Sequence, residues 1–177
     1  VFEDAALTGA IVARLRNREA IERARAFPYQ LLAAAKAASP EVPAIVTKAL
    51  EQAMELSIAN VPALEGKVYV CPDVSGSMRC AVTGYRKGST TSMRCVDVAA
   101  LMAASIVRKN RGAEVLPFEQ QVVPMSLDPK ESVMANAQRL AAVGGGGTSC
   151  SAPLALLNQR KARGEMVVFV SDNESWV

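Results

Sequence analysis

The chain has 177 residues, half of them hydrophobic, and a formal net charge of +3, which is enough for one ordinary domain with a sizeable core. It has no run of about 18 apolar residues, so it offers no membrane-spanning helix, and its mild charge falls short of a strong nucleic-acid-binding patch. Histidine is absent, which excludes Ser-His-Asp triads and Cys/His zinc sites.

Residues 1–60 are rich in Ala, Leu, Glu and Arg and read as wholly helical. No signal peptide is visible at the start, and a first residue of Val1 rather than Met points to a fragment. A first helix is expected from Asp4 to Arg16, and a second from Arg18 to Arg25 behind an Asn17 cap. A third should run from Pro28 to about Ala38. Ser39-Pro40 reads as a cap followed by a first-turn proline, starting a fourth helix from Glu41 to near Asn60. Short helices joined by tight turns resemble a piece of an α-solenoid. Charges in residues 1–60 balance, seven basic against seven acidic. Arg14, Arg16, Arg18, Arg23 and Arg25 nevertheless cluster, either as a solvated face paired with Glu19 and Glu22 or as phosphate contacts.

Residues 61–66 form a linker, and residues 67–177 read as an α/β unit. The apolar run Val68, Val70, Cys71 suits a buried parallel strand. It runs into Asp73-Val-Ser-Gly-Ser77, where Asp-x-Ser-x-Ser spacing lets one carboxylate and two hydroxyls converge. All three donors are oxygens, which suits a hard cation such as Mg²⁺. The plainer reading is a capped helix start. Arg79 to Ser92 is a polar loop carrying Tyr85, Arg86 and Lys87, and Met93 to Asn110 reads as a helix. Ala113 to Phe118 should be the second strand, and Val122 to Met125 a short antiparallel edge strand. Pro117 and Pro124 argue for strand ends. Asp128-Pro129 should start a helix running to about Val143. Gly144 to Gly147 lacks the lysine of a phosphate-binding loop, which excludes that form of nucleotide binding; the glycines instead let Thr148 swing toward a metal. A helix from Ala152 to Arg163 and a core strand from Met166 to Ser171 follow. Asp172 then falls on the same sheet edge as Asp73, where α/β sheets bind ligands. The four cysteines, Cys71, Cys80, Cys95 and Cys150, contain no Cys-x-x-Cys pair. Reduced thiols and a cytoplasmic location are the plain expectation.

Asp73-Val-Ser-Gly-Ser77, with Thr148 and Asp172 in later loops, resembles the metal-ion-dependent adhesion site of von Willebrand factor A domains. The lead-in Arg23-Ala-Arg-Ala-Phe-Pro-Tyr-Gln-Leu-Leu32 and the stretch Ser171-Asp-Asn-Glu-Ser-Trp176 are similar to the Ro ribonucleoprotein family, in which a ring of helical repeats precedes an A domain. The resemblance implies a doubly wound, mostly parallel sheet behind the last helices of the ring. A full A domain of this kind continues past the fourth core strand, so an incomplete domain with an open apolar edge is expected after Val177. It implies a divalent cation, Mg²⁺ or another, held by Asp73, Ser75, Ser77, Thr148 and Asp172. It also implies a non-enzymatic scaffold that binds small noncoding Y-like RNA and the 3′ ends of misfolded RNA, with an exoribonuclease or other protein as a further partner. The residues agree on the absence of catalysis: Glu174 is the only nearby candidate base, and it reads as a loop-orienting group. The alternative is a protein-binding A domain that captures an acidic partner residue through its metal.

Overall fold

The computed structural model describes residues 4–38, 41–82 and 93–174. Helix α1 (Ala5–Arg16) starts at Asp4, whose carboxylate accepts from the Ala6 and Leu7 amides. Asn17 ends α1 and caps α2 (Arg18–Arg23) through the Ala20 amide. Helix α3 (Pro28–Ala37) begins on a proline, whose missing N–H costs nothing in a first turn. Gln30 folds back to accept from the Phe27 amide. Helix α4 (Ala44–Ser57) begins three residues later than Glu41. Pro43 sets this boundary, because the residue before a proline is pushed out of the helical region. The Ser39-Pro40 signal lies outside the described residues. A 3₁₀ turn, Ile58–Asn60, closes the helical segment.

Strand β1 (Val68–Pro72) is wholly buried at the centre of a three-stranded parallel sheet. Helix α5 (Cys95–Lys109) carries the chain to β2 (Glu114–Val115) on one side. Helices α6 (Val133–Ala141) and α7 (Ala152–Gln159) carry it to β3 (Met166–Val170) on the other. The order β2-β1-β3 makes the sheet doubly wound, with β1 at the point where the winding reverses. Alternation along β1 fills both faces. Val68 and Val70 join the core with α5, α6 and the helices of the first segment, while Tyr69 and Cys71 join Leu116, Phe118 and Leu157 of α7.

Several expected elements differ, among them the second strand, which covers only Glu114–Val115. Residues 122–125 make one antiparallel bridge, Phe118 to Val122, rather than a strand, because Pro124 has no amide to donate. Asp128 does not cap a helix; its carboxylate turns the chain by accepting from the Lys130 amide. The cap of α6 is Ser132, which accepts from the Ala135 amide. Among the described residues strand β3 has a neighbour on one side only, the open edge expected, and Met166, Val167 and Phe169 are exposed. The second helix stops at Arg23 and the last at Gln159, short of Arg25 and Arg163.

Candidate metal centre

The parallel sheet delivers three strand ends to one edge. Asp73 follows β1, Phe118 and Glu119 extend the line of β2, and Ser171 and Asp172 follow β3. Asp73 is fastened on both sides. It bridges to Phe118, and its amide donates to the Val170 carbonyl at 2.9 Å. Its side chain is fully buried. One carboxylate oxygen accepts from the Ser75 amide at 2.9 Å and the other from the Ser171 hydroxyl at 2.7 Å. Ser75 is also buried, and its hydroxyl lies 3.2 Å from that of Ser77. Ser77 opens a 3₁₀ turn, Ser77–Arg79, so this turn is more than a helix cap: it stacks a carboxylate and two hydroxyls at the sheet edge.

The glycine loop is fixed against this turn. The Gly145 amide donates to the Val74 carbonyl at 2.9 Å, and the Gly76 amide donates to the Gly146 carbonyl at 2.8 Å. Gly144 has φ of +75° and Gly145 of +116°, values that favour glycine. A Cβ at Gly144 would lie 2.3 Å from the Val74 carbonyl oxygen. The loop is therefore held rather than swinging, and it delivers Thr148, 4 % exposed, to the same edge. Asp172 is half-buried and accepts from the Glu174 amide. Direct contacts thus join Asp73, Ser75 and Ser77. Thr148 and Asp172 arrive on segments hydrogen-bonded to that turn or to its strand.

Two further residues belong to the site. Glu119 accepts from the Gly146 amide at 2.7 Å through its side chain and from the Ser149 amide through its carbonyl. Ser171 orients Asp73. Their only signal in the sequence is their place just past a strand end. Tyr85, Arg86, Lys87 and Trp176 lie outside the described residues.

The donor set is two carboxylates and three hydroxyls. Among the described residues no three acidic or thiol side chains converge, so a cation here would depend on the hydroxyls. Two carboxylates balance a divalent charge, and an all-oxygen set suits a hard ion. The residues therefore fit Mg²⁺ better than a thiophilic metal.

The five arginines of the first segment are all exposed. Arg16 donates to Gln52 at 2.7 Å, and Arg18 pairs with Glu22 at 3.4 Å. Arg14 and Arg23 line one shallow groove with Asn17 and Glu19.

The family described as Ro60 vWA domain matches residues 67–177. The chain belongs to this family. It is 29 % identical over 184 aligned residues to "RNA-binding protein RO60" of Deinococcus radiodurans, an alignment covering 98 % of this chain and 34 % of that protein. The crystal structure of the Deinococcus radiodurans RO (RSR) protein superposes with a TM-score of 0.79 at 27 % identity, over 98 % of this chain and 36 % of that one. The chain thus spans about a third of the length of these Ro relatives, and the likeness runs through the first four helices as well as the A domain.

Proposed function

We propose that the chain is part of an RNA-binding scaffold of the Ro type, with a divalent cation held in its A domain by Asp73, Ser75, Ser77, Thr148 and Asp172. The observation that carries the RNA reading is the match along 98 % of the chain to a relative named as an RNA-binding protein. Small noncoding Y-like RNA and the 3′ ends of misfolded RNA are the expected ligands, and an exoribonuclease is the expected protein partner. The exposed arginines Arg14, Arg16, Arg18, Arg23 and Arg25 are the candidate phosphate contacts. Arg14 and Arg23 lead, since Arg16 and Arg18 already have side-chain partners.

A cation at the sheet edge would supply positive charge and an open coordination position. Among the described residues the carboxylates of Asp73 and Glu119 are already engaged by protein donors, which supports binding over catalysis. The test is RNA capture by the intact parent protein, washed at about 0.2 M salt, where contacts made to phosphate alone weaken steeply. Recovery of defined small RNAs is expected, with capture reduced by Arg14→Glu plus Arg23→Glu and retained by Asp73→Asn. Recovery of protein partners alone, lost in Asp73→Asn, would overturn this reading in favour of a metal-dependent protein-binding domain.

A further inference from the structure

Cys80 and Cys95 lie 15 positions apart in the chain, yet their sulfurs approach to 3.7 Å. Backbone pairing brings them together. The Cys95 amide donates to the Cys80 carbonyl at 3.0 Å, the Val82 amide donates to the Met93 carbonyl at 2.9 Å, and Ala81 bridges Arg94 in antiparallel fashion. The two cysteines are therefore cross-strand partners, and such partners have Cα atoms at the separation a disulfide spans. Both are half-buried, within reach of a small oxidant. Cys71, in contrast, is fully buried in β1.

We propose that Cys80 and Cys95 are a reversible dithiol–disulfide pair, oxidised by a peroxide. It joins the end of the Ser77–Arg79 turn to the first residue of α5. In the first step a Cys80 thiolate attacks one peroxide oxygen. The O–O bond breaks, Cys80 becomes a sulfenic acid, and the other oxygen leaves and is protonated to water when the peroxide is hydrogen peroxide. In the second, the Cys95 sulfur attacks the Cys80 sulfur. The S–S bond forms, the S–O bond breaks, and the Cys95 proton leaves with the hydroxyl as a second water. The two thiols lose two electrons in total, and the peroxide gains them. The same two steps balance with the sulfurs exchanged, since each lies 3.7 Å from the other and is in place to resolve it. Closing the bond brings the sulfurs from 3.7 Å to about 2.0 Å, a shift within reach of side-chain rotation. A zinc site is the poorer account, since among the described residues no third metal-ligating group completes the pair.

Hydrogen peroxide treatment of the intact protein, alkylation of remaining thiols and tryptic mass mapping test this. Trypsin places the two cysteines in separate peptides, Cys80–Arg86 and Cys95–Arg108. The expected result is one linked species, lighter by two hydrogens than the two peptides together. Alkylation should be lost at both positions and restored by dithiothreitol. In Cys80→Ser the linked species should vanish. Full alkylation of both thiols after peroxide, irreversible oxidation of Cys80 without linkage, or linkage of either to Cys71 or Cys150 would each overturn the proposal.

Discussion

Both carboxylate oxygens of Asp73 are engaged in a site with no solvent exposure. Removing the carboxylate strands the Ser75 amide and the Ser171 hydroxyl, and a buried donor left unpaired costs roughly 1–3 kcal/mol. Asp73→Ala should therefore destabilise the fold by about 2–4 kcal/mol in urea denaturation, even without added cation. Asp73→Asn keeps an acceptor oxygen and should lose less. Calorimetric titration with Mg²⁺ should then show no binding to Asp73→Asn, which would separate the site's electrostatic role from its structural one. The glycines give a second pair of outcomes. At Gly144 the positive φ and the 2.3 Å approach to the Val74 carbonyl leave no room for a side chain. Gly144→Ala should cost more than about 2 kcal/mol and disturb the Thr148 loop. Gly9 in α1 is exposed, and a Cβ there meets nothing within 4 Å. Gly9→Ala should stabilise by about 0.5–1 kcal/mol, since glycine is a poor helix former. Equal effects at the two positions in thermal melts would contradict this account of the glycine loop. The Asp-x-Ser-x-Ser turn was legible because its carboxylate and hydroxyls alternate within five residues and its geometry is local. Glu119 and Ser171 were not, because only the parallel register brings strand ends 46 and 98 residues away to Asp73.

The elements are tied together by a few partly buried polar contacts. Asp97 in the first turn of α5 accepts from Arg94 at 2.7 Å and from Lys36 of α3 at 2.6 Å. Burial alone would push the Asp97 carboxyl up, but the two cations outweigh it and hold it at about 2, below the ordinary 3.8. A carboxylate with a depressed folded pKa contributes stability above its unfolded pKa and loses it as pH falls through the folded value. The contribution should be present at pH 5 and gone near pH 2. Holding the carboxyl that far down stabilises the fold by less than about 2.5 kcal/mol, because Lys36 and Arg94 are each about a third exposed and water screens both. Asp97→Asn should flatten the pH dependence of unfolding between about pH 5 and 2, and Lys36→Met should flatten it in part. A slope unchanged in both variants would remove Asp97 from the acid response. Element existence was largely readable from periodicity, but element starts were not. Pro43 displaced the fourth helix because a proline restricts the residue before it, and Asp128 spent its carboxylate on a turn that left Ser132 to cap α6. Both outcomes depend on competition between neighbouring caps, which composition does not rank.

On the scale of the whole molecule, one core runs from Ile21 and Leu32 through Met54 to Val70 and Leu140. The helical segment and the A domain therefore share buried surface rather than meeting at a hinge. Glu55 of α4 reinforces the junction by accepting from the Val133 amide at the start of α6. The outer edge of the sheet is different. Among the described residues strand β3 pairs only with β1, and it carries Met166, Val167 and Phe169 at 44 %, 39 % and 38 % exposure. Beside it lies an apolar hollow of about 390 Å³ lined in part by Phe27, Tyr29, Met102 and Val168. An unpaired, β-branched and aromatic edge is a template for pairing with another chain. The 177-residue chain by itself should self-associate as its concentration rises, through β3 rather than through the polar edge that carries Asp73. Val167→Lys places a charge on that strand without touching Asp73 or its partners. Sedimentation velocity should show the wild-type chain shifting to larger species while Val167→Lys stays monomeric over the same range. If the variant associates as strongly as the wild type, β3 is not the contact, and the apolar hollow beside it becomes the next surface to charge.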